Sequence, residues 1–155
     1  MKPVILGSCL YEDPEGLEWL RTMAHQEEKN DIQETYKLNT FPNCIGATLK
    51  ELAHSWGYKP RVSRIDGEGA FVPISGSAGW HTDPGLGTLL SWIVWTTPAK
   101  NPPQLITSHG ALLVDKGDIF VFNANKGHAW FSSTRCVLAQ IPVSKLPTKP
   151  RSPKP

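Results

Sequence analysis

Apolar residues near the start of the chain recur at the three- and four-residue spacing of an amphipathic helix. Asp13 stands where a helix cap is expected, a proline follows it, and the apolar repeat continues to about Glu28. A second repeat covers residues 43–56, and Gly57 follows at the position favoured for a left-handed helix end. The pattern predicts two helices, preceded by a short strand and separated by a polar loop at residues 29–42.

The pattern changes after Pro60, where short runs rich in β-branched and aromatic residues alternate with turn residues. Such runs are typical of β-strands, and they predict strands at residues 61–65, 70–74, 79–83, 88–96, 104–107, 111–114, 118–122, 128–131 and 135–143. Because an antiparallel sandwich or jelly roll leaves few exposed edges, it is the closure expected for this many short strands. The predicted fold class is mainly β, with the N-terminal helices covering one outer face.

Length and composition limit how the chain is organised. With 155 residues, of which 39% are hydrophobic and 19% charged, the chain suffices for one compact core. We predict a single domain over residues 1–144, with helical support at 13–57 and a β-roll at 61–143. Residues 145–155 hold four basic residues, four prolines and no acidic residue, which predicts an extended, solvated tail.

Charge and targeting patterns argue against several classes of protein. The net charge of +2 is too small to indicate a nucleic-acid scaffold, and outside the basic tail 12 basic residues face 14 acidic ones. The longest uncharged stretch, residues 84–99, is too short for a membrane span and is interrupted by proline and glycine. Without a recognisable secretory signal, we expect a cytoplasmic protein with no membrane partner. Three widely spaced cysteines, none in a Cys-x-x-Cys pair, indicate neither a disulfide framework nor a structural zinc site.

Candidate chemistry is concentrated in three residues of the β half. His81 and Asp83 are two positions apart on a predicted strand, so their side chains are expected on one face. His128 opens a later strand and would supply a second imidazole. Two neutral imidazoles and one carboxylate on one side of an ion form the facial triad suited to non-haem Fe(II), whereas zinc more often takes a tetrahedral set. The remaining histidines are expected in structural or solvated roles: His25, His54 and His109.

Arg135 is a further candidate because it begins an otherwise apolar strand. Counting by two from it reaches Val137 and Ala139, so its guanidinium would share an apolar interior unless it met an anion. A co-substrate carboxylate would satisfy it. The alternative is a strand-end arginine that reaches water or pairs with an acid such as Asp115 or Asp118.

Taken in order, these motifs resemble the Fe(II)- and 2-oxoglutarate-dependent oxygenases, and most closely their prolyl-hydroxylase-like branch. The resemblance covers about residues 65–143 and rests on Gly79-Trp80-His81-Thr82-Asp83, the strand at 89–95, Gly117-Asp118 with its apolar strand, Gly127-His128 and Arg135. It implies a double-stranded β-helix in which His81, Asp83 and His128 are catalytic ligands of Fe(II). It further implies that 2-oxoglutarate chelates the iron while Arg135 binds its far carboxylate. The implied reaction uses O2, hydroxylates a substrate and releases succinate and CO2.

A second set of residues could assist the co-substrate under this resemblance. Ser91 and Trp95 fall on one face of the predicted strand 88–96 with Leu89 and Ile93, so either could donate a hydrogen bond to 2-oxoglutarate. Other tryptophans near the metal strands form either a flat-walled cavity or ordinary core: Trp80, Trp92 and Trp130.

Two other classes remain open from the sequence. A cupin-type metal-binding protein would use a similar β-roll without 2-oxoglutarate, and a non-catalytic interaction module would keep the roll alone. The main substrate is not predicted, and a peptidyl residue, a nucleobase or nucleotide and a small molecule all remain open. Lys59, Arg61 and Arg64 give only a thin footprint for nucleic acid, and a solvated edge strand explains them better. The oligomeric state is not predicted.

Overall fold

The two predicted helices are present and begin where the sequence indicated. The computed structural model describes residues 2–26, 36–37, 43–62, 69–98 and 101–147. Helix α1 spans Pro14–Gln26, and Asp13 caps it by accepting a hydrogen bond from the Gly16 N–H at 2.9 Å. Helix α2 spans Asn43–Ser55 and is followed by Gly57 with a φ of 81°, as its sequence position predicted. Neither described helix has the length and apolar composition needed to span a lipid bilayer.

Eleven described strands form two antiparallel sheets. They are β1 Val4–Ser8, β2 Tyr36–Lys37, β3 Tyr58–Pro60, β4 Ala70–Ser75, β5 Ala78–His81, β6 Thr88–Thr96, β7 Gln104–Thr107, β8 Gly110–Leu113, β9 Asp118–Asn123, β10 His128–Phe131 and β11 Arg135–Lys145. The large sheet has the order β1-β9-β6-β11-β4-β2, with β3 paired to β11, and the small sheet has the order β5-β10-β7-β8. This mainly β, curled arrangement confirms the predicted jelly-roll fold of the double-stranded β-helix type.

Several predicted segments differ from the structure, and the strand expected at 79–83 is Ala78–His81, so Asp83 lies beyond its end. The strand expected at 61–65 lies earlier, at Tyr58–Pro60, because this segment pairs with the end of β11 through Val143 and Pro60. Residues 63–65 of that prediction lie outside the described residues. The predicted loop at 29–42 contains the two-residue strand Tyr36–Lys37, which pairs with β4, and its other residues also lie outside the described part.

Side chains on the two faces of the large sheet contribute to two separate apolar clusters. Along β11, Val137, Ala139 and Ile141 pack against residues of α1 and α2. The alternate positions Cys136 and Leu138 pack instead with residues of the small sheet. The molecule therefore has three layers, namely helices, large sheet and small sheet. From Cys136 to Ile141, the odd-numbered residues of β11 face the helices and the even-numbered residues face the small sheet.

Candidate metal centre

The two histidines of the predicted triad face each other across neighbouring strands of the small sheet. Strands β5 and β10 pair antiparallel, and His81 at the end of β5 stands opposite His128 at the start of β10. The centroids of the two imidazole rings are 4.4 Å apart. The antiparallel pairing of β5 with β10 thus brings together two residues that are distant in sequence.

Asp83 completes the cluster two residues beyond His81, although it lies past the end of β5 and not on the strand where it was predicted. Its Oδ2 lies 3.6 Å from Nε2 of His81 and 3.1 Å from Nε2 of His128. One donor atom from each of the three residues lies within 4.8 Å of the other two. All three predicted ligands are therefore brought together around one point.

Backbone carbonyls orient both imidazole rings. Nδ1 of His81 lies 2.6 Å from the oxygen of Gly79, and Nδ1 of His128 lies 2.8 Å from the oxygen of Lys126. Because a carbonyl only accepts hydrogen bonds, each Nδ1 is assigned the ring proton of a neutral imidazole. Each Nε2 then presents its lone pair toward the shared centre, which is the arrangement found in metal-ligating histidines.

This donor set fits a divalent first-row metal ion. Donor atoms about 2.1 Å from one ion and at right angles to each other are about 3.0 Å apart, close to the observed 3.1 and 3.6 Å. Two imidazoles and one carboxylate on one side leave further coordination positions open, as in non-haem iron sites. A simple ion pair between His128 and Asp83 explains the 3.1 Å contact but leaves Nε2 of His81 aimed at the same oxygen without a role.

The triad stands at the mouth of a largely apolar cavity. The side chains of His81 and Asp83 are 42% and 37% exposed, whereas that of His128 is 6% exposed. Behind them lies a cavity of about 340 Å³ between the two sheets. Its other lining residues are mainly apolar: Val72, Ile74, Ala78, Pro84, Leu86, Leu89, Leu105, Phe120, Phe122, Trp130, Leu138 and Gln140. The three candidate metal ligands therefore line the same cavity as these apolar side chains.

A set of hydrogen bonds clamps the turn after Asp83 to the loop that leads into β10. The backbone N–H of Asp83 donates to the oxygen of Ala124 at 2.8 Å, and the N–H of Ala124 donates to the oxygen of Gly87 at 2.8 Å. The side-chain oxygen of Asn125 accepts from the N–H groups of Gly85 and Gly87 at 3.1 and 3.0 Å. This loop clamp fixes the carboxylate relative to the second histidine.

We expect Asn125→Ala to weaken metal binding about tenfold, because supporting hydrogen bonds around metal ligands typically contribute about 10- to 100-fold in affinity. Asn125→Asp retains an acceptor oxygen for both N–H groups and should keep at least wild-type affinity. Competition titration of Fe(II) or Zn(II) against a chelator measures both. Unchanged affinity in the alanine variant, or an equal loss in both variants, would contradict a positioning role for the loop clamp.

Arg135 lies on the opposite face of the large sheet from the cavity, which corrects its expected placement. It shares a face with Val137 and Ala139, as predicted, but that face packs against the helices. One guanidinium nitrogen lies 2.8 Å from Nδ1 of His25 on α1. The structure therefore does not bring Arg135 to the triad, and an interaction with the helical layer satisfies part of its hydrogen-bonding capacity.

The two auxiliary candidates have different positions. Ser91 faces the cavity side, but its hydroxyl is fully buried and accepts a hydrogen bond from the amide of Gln140 at 2.8 Å. Trp95 lies on the helical side, with its ring centroid 6.3 Å from that of His25. An irregularity in the pairing of β6 with β11 places an extra residue before Trp95, so counting by two from Ile93 fails there.

Two of the tryptophans near the metal strands take the two expected roles, and Trp80 takes neither. Trp130 lines the cavity, and Trp92 belongs to the core on the helical side. Trp80 is 58% exposed, and its ring lies against Gly127, where a Cβ atom would come within 2.3 Å of the indole. The glycine before His128 thus leaves room for this surface ring.

Sequence reasoning missed two residues of the site. Gln140 lines the cavity, and its polarity in the otherwise apolar run 136–141 was an available signal. Asn125 holds the loop clamp through contacts about 40 positions away in sequence, which no local pattern indicates.

Comparisons with known proteins give weak likenesses of overall structure. No protein-family model matches the chain, and no curated protein matches its sequence. A cupin domain from Bordetella pertussis Tohama I is similar at 21% identity and a TM-score of 0.36, covering 57% of this chain and 94% of that domain. A salicylate 1,2-dioxygenase from Pseudaminobacter salicylatoxidans is similar at 10% identity and a TM-score of 0.43, covering 84% of this chain. This chain spans only 33% of that dioxygenase, so residue roles here rest on the side chains of this protein itself.

Proposed function

We propose that this protein is a mononuclear metal-dependent dioxygenase that holds Fe(II) through His81, Asp83 and His128 and oxidises a small organic molecule. One observation carries the proposal. Nε2 of both histidines converges on a single carboxylate oxygen of Asp83, while Nδ1 of both rings is engaged by a backbone carbonyl. This arrangement supplies three donors on one side of an ion and leaves the cavity side open.

The residues of this chain have separate tasks in the proposed reaction. The carbonyls of Gly79 and Lys126 hold the imidazoles in the ligating tautomer. The apolar walls of the cavity exclude water and bind the substrate beside the triad. When bound, the iron supplies the redox chemistry by which O2 reacts with the substrate. A dioxygenation places both oxygen atoms in the product, so its electron balance needs no further reductant.

The residues that line the cavity do not fit 2-oxoglutarate well. In the resembled family its far carboxylate binds an arginine, but here Arg135 faces the helices and contacts His25. The described lining residues include no lysine or arginine, while Arg64 and Lys100 lie outside the described part. Burying a second carboxylate among leucine and phenylalanine side chains without a cation is costly. We therefore favour a reaction that does not consume 2-oxoglutarate.

A 2-oxoglutarate-dependent hydroxylase is the second candidate. The order His-x-Asp followed by a distant histidine, which the structure assembles at one centre, favours it. The two candidates share the metal ligands and differ in the co-substrate, so one titration separates them. A metal-binding protein without oxygenase activity would also be stabilised by Fe(II) but would form no oxygenated product.

Anaerobic addition of Fe(II) is expected to raise the melting temperature by roughly 5–10 °C at a metal concentration of about 100 times Kd, equivalent to about 2.7 kcal/mol. Further addition of 2-oxoglutarate should add neither stability nor a visible charge-transfer band. A band together with a second rise would establish the 2-oxoglutarate-dependent candidate instead. Unchanged stability with Fe(II), Mn(II) and Zn(II) would reject both.

Oxygenase activity is tested separately with 18O2. The Fe(II)-loaded protein should add two labelled oxygen atoms to a small molecule in a cell extract, as read by mass spectrometry. Protein with the triad variant Asp83→Ala serves as the blank for the same extract. Metal binding without any labelled product would assign the protein to the non-catalytic metal-binding class.

A further inference from the structure

Gln140 interrupts the buried run of strand β11. Residues 136–143 of this strand are buried with the exception of Gln140, which is partly exposed. The strand is paired on both sides at this position, with Ala70 of β4 and with Ser91 of β6, so its edges are covered. Because the even-numbered residues of this stretch face the small sheet, the accessible surface of Gln140 opens on that side, where the residue lines the cavity.

The amide of Gln140 has hydrogen-bonding capacity that the described residues leave unused. Its Nε2 donates to Oγ of the fully buried Ser91 at 2.8 Å, and this bond fixes the orientation of the amide. Its Oε1 accepts no hydrogen bond from the residues that the structure describes. Nor is Oε1 a buried atom without a partner, since among the described side chains that holds only for Nε1 of Trp130. The oxygen is therefore an accessible acceptor at the cavity wall, where it can pair with a donor group of a ligand.

The rest of the wall determines what kind of molecule could bring that donor. Apart from the triad, Trp130 and Gln140, the described lining residues are apolar. The cavity of about 340 Å³ equals the liquid volume of roughly eleven water molecules, which suits a single ring with a short substituent. Because burying an unpaired charge is costly, a neutral ring molecule with one hydroxyl group matches these walls.

Strand register places the amide and the triad at two ends of one aromatic surface. Ser91 of β6 is paired with Gln140 on one side and with Phe120 of β9 on the other, so the backbones of Gln140 and Phe120 are about 10 Å apart across the sheet. The rings of Phe120 and Phe122 lie within 26° of parallel with centroids 6.0 Å apart. Phe122 in turn contacts the ring of His128, with centroids 5.0 Å apart. A ligand held by Oε1 of Gln140 therefore extends over the two phenylalanines toward the triad.

We propose that the cavity binds a small, uncharged ring molecule with a hydroxyl group, which donates its hydrogen bond to Oε1 of Gln140 and directs the opposite end of the ring to His81, Asp83 and His128. Oxidation of that molecule rests on the proposed function, whereas its binding does not. Gln140 then determines specificity, because it distinguishes ligands that carry the hydroxyl group from those of the same shape that lack it.

Phenol and toluene are suitable probes, since a hydroxyl and a methyl group have nearly the same size. Their affinities for the metal-free, full-length protein are measured by NMR titration, and the ratio of the two is compared between the wild-type protein and Gln140→Met. This variant keeps the length of the side chain but lacks the amide. We expect the wild-type ratio to favour phenol about three- to tenfold more than the ratio of the variant does. In the wild-type protein, phenol should also move the side-chain NH2 resonances of Gln140, assigned through bonds, more than toluene does.

Gln104→Met is the matched control. Gln104 is also partly exposed, but it belongs to β7 and lies outside the cavity lining, so this variant should keep the wild-type ratio. The same ratio in Gln140→Met as in the wild-type protein, absence of phenol binding, or Gln140 resonances that phenol does not move would overturn the proposal. The last two results are read from the wild-type protein alone and do not depend on the folding of a variant.

A parallel titration with Zn(II) separates this proposal from the proposed function. Phenol binding without any response to Zn(II) would sink the metal site alone. Zn(II) binding without phenol binding would sink only the ligand assignment.

Discussion

Alanine at His81, Asp83 or His128 is expected to abolish metal-dependent activity and to lower Fe(II) affinity by more than about 100-fold, because loss of outer hydrogen-bonding partners alone costs about 10- to 100-fold. Asp83 is the most informative position, since its Oδ2 contacts both imidazoles. The rise in melting temperature caused by Fe(II) should vanish in each variant. Isothermal titration and thermal unfolding with and without metal measure the two effects.

The matched control for His81→Ala is His109→Ala. Both histidines are exposed, but His109 lies in the turn between β7 and β8 and is not one of the three residues whose donor atoms converge. The control should retain wild-type metal affinity and activity. A wild-type metal response in any of the three triad variants would remove that residue from the ligand set. A variant that fails to unfold cooperatively without metal would be replaced by Asp83→Asn, which keeps the side-chain volume but weakens the donor.

Strands such as the one that carries His128 could be predicted from the sequence because their residue pattern agrees with the turns that bound them. Residues 128–131 alternate and follow a turn, and the predicted bounds of this strand and of 88–96 match the structure. The His-x-Asp spacing predicted that strand alternation would bring His81 and Asp83 together, whereas Asp83 lies beyond the end of β5 and its N–H donates to the oxygen of Ala124. The family resemblance implied convergence with His128, but the antiparallel pairing of β5 with β10 that produces it was not predicted.

The placement of Arg135 and Trp95 could not be predicted in the same way. Alternation states which residues of a strand share a face, but it does not state which layer covers that face. Arg135 was grouped correctly with Val137, yet the covering layer is helical. For Trp95 even the grouping failed, because the extra residue in β6 is set by pairing with β11 and leaves no local sequence signature.

Trp92→Ala is expected to destabilise the protein by about 3–5 kcal/mol, the usual cost of truncating a large buried aromatic residue. Trp92 is 1% exposed and packs in the core on the helical side of the large sheet. Its Nε1–H donates to the oxygen of Cys9 at 2.7 Å, and its ring meets that of Tyr11 edge-on at 6.1 Å. The indole thereby attaches the segment between β1 and α1 to the sheet. Urea unfolding followed by circular dichroism measures the loss.

Trp92→Phe separates packing from hydrogen bonding at this position. It retains most of the apolar contact but leaves the Cys9 carbonyl without its donor, so a smaller loss of about 1–2 kcal/mol is expected. Because Trp92 faces the helices whereas the small sheet carries both triad histidines, the folded fraction of both variants should bind metal with wild-type affinity. A parallel loss of metal affinity would mean that the two faces of the large sheet are mechanically coupled. In that case, helix packing at Trp92 and Arg135 would help to position the metal ligands from across the sheet.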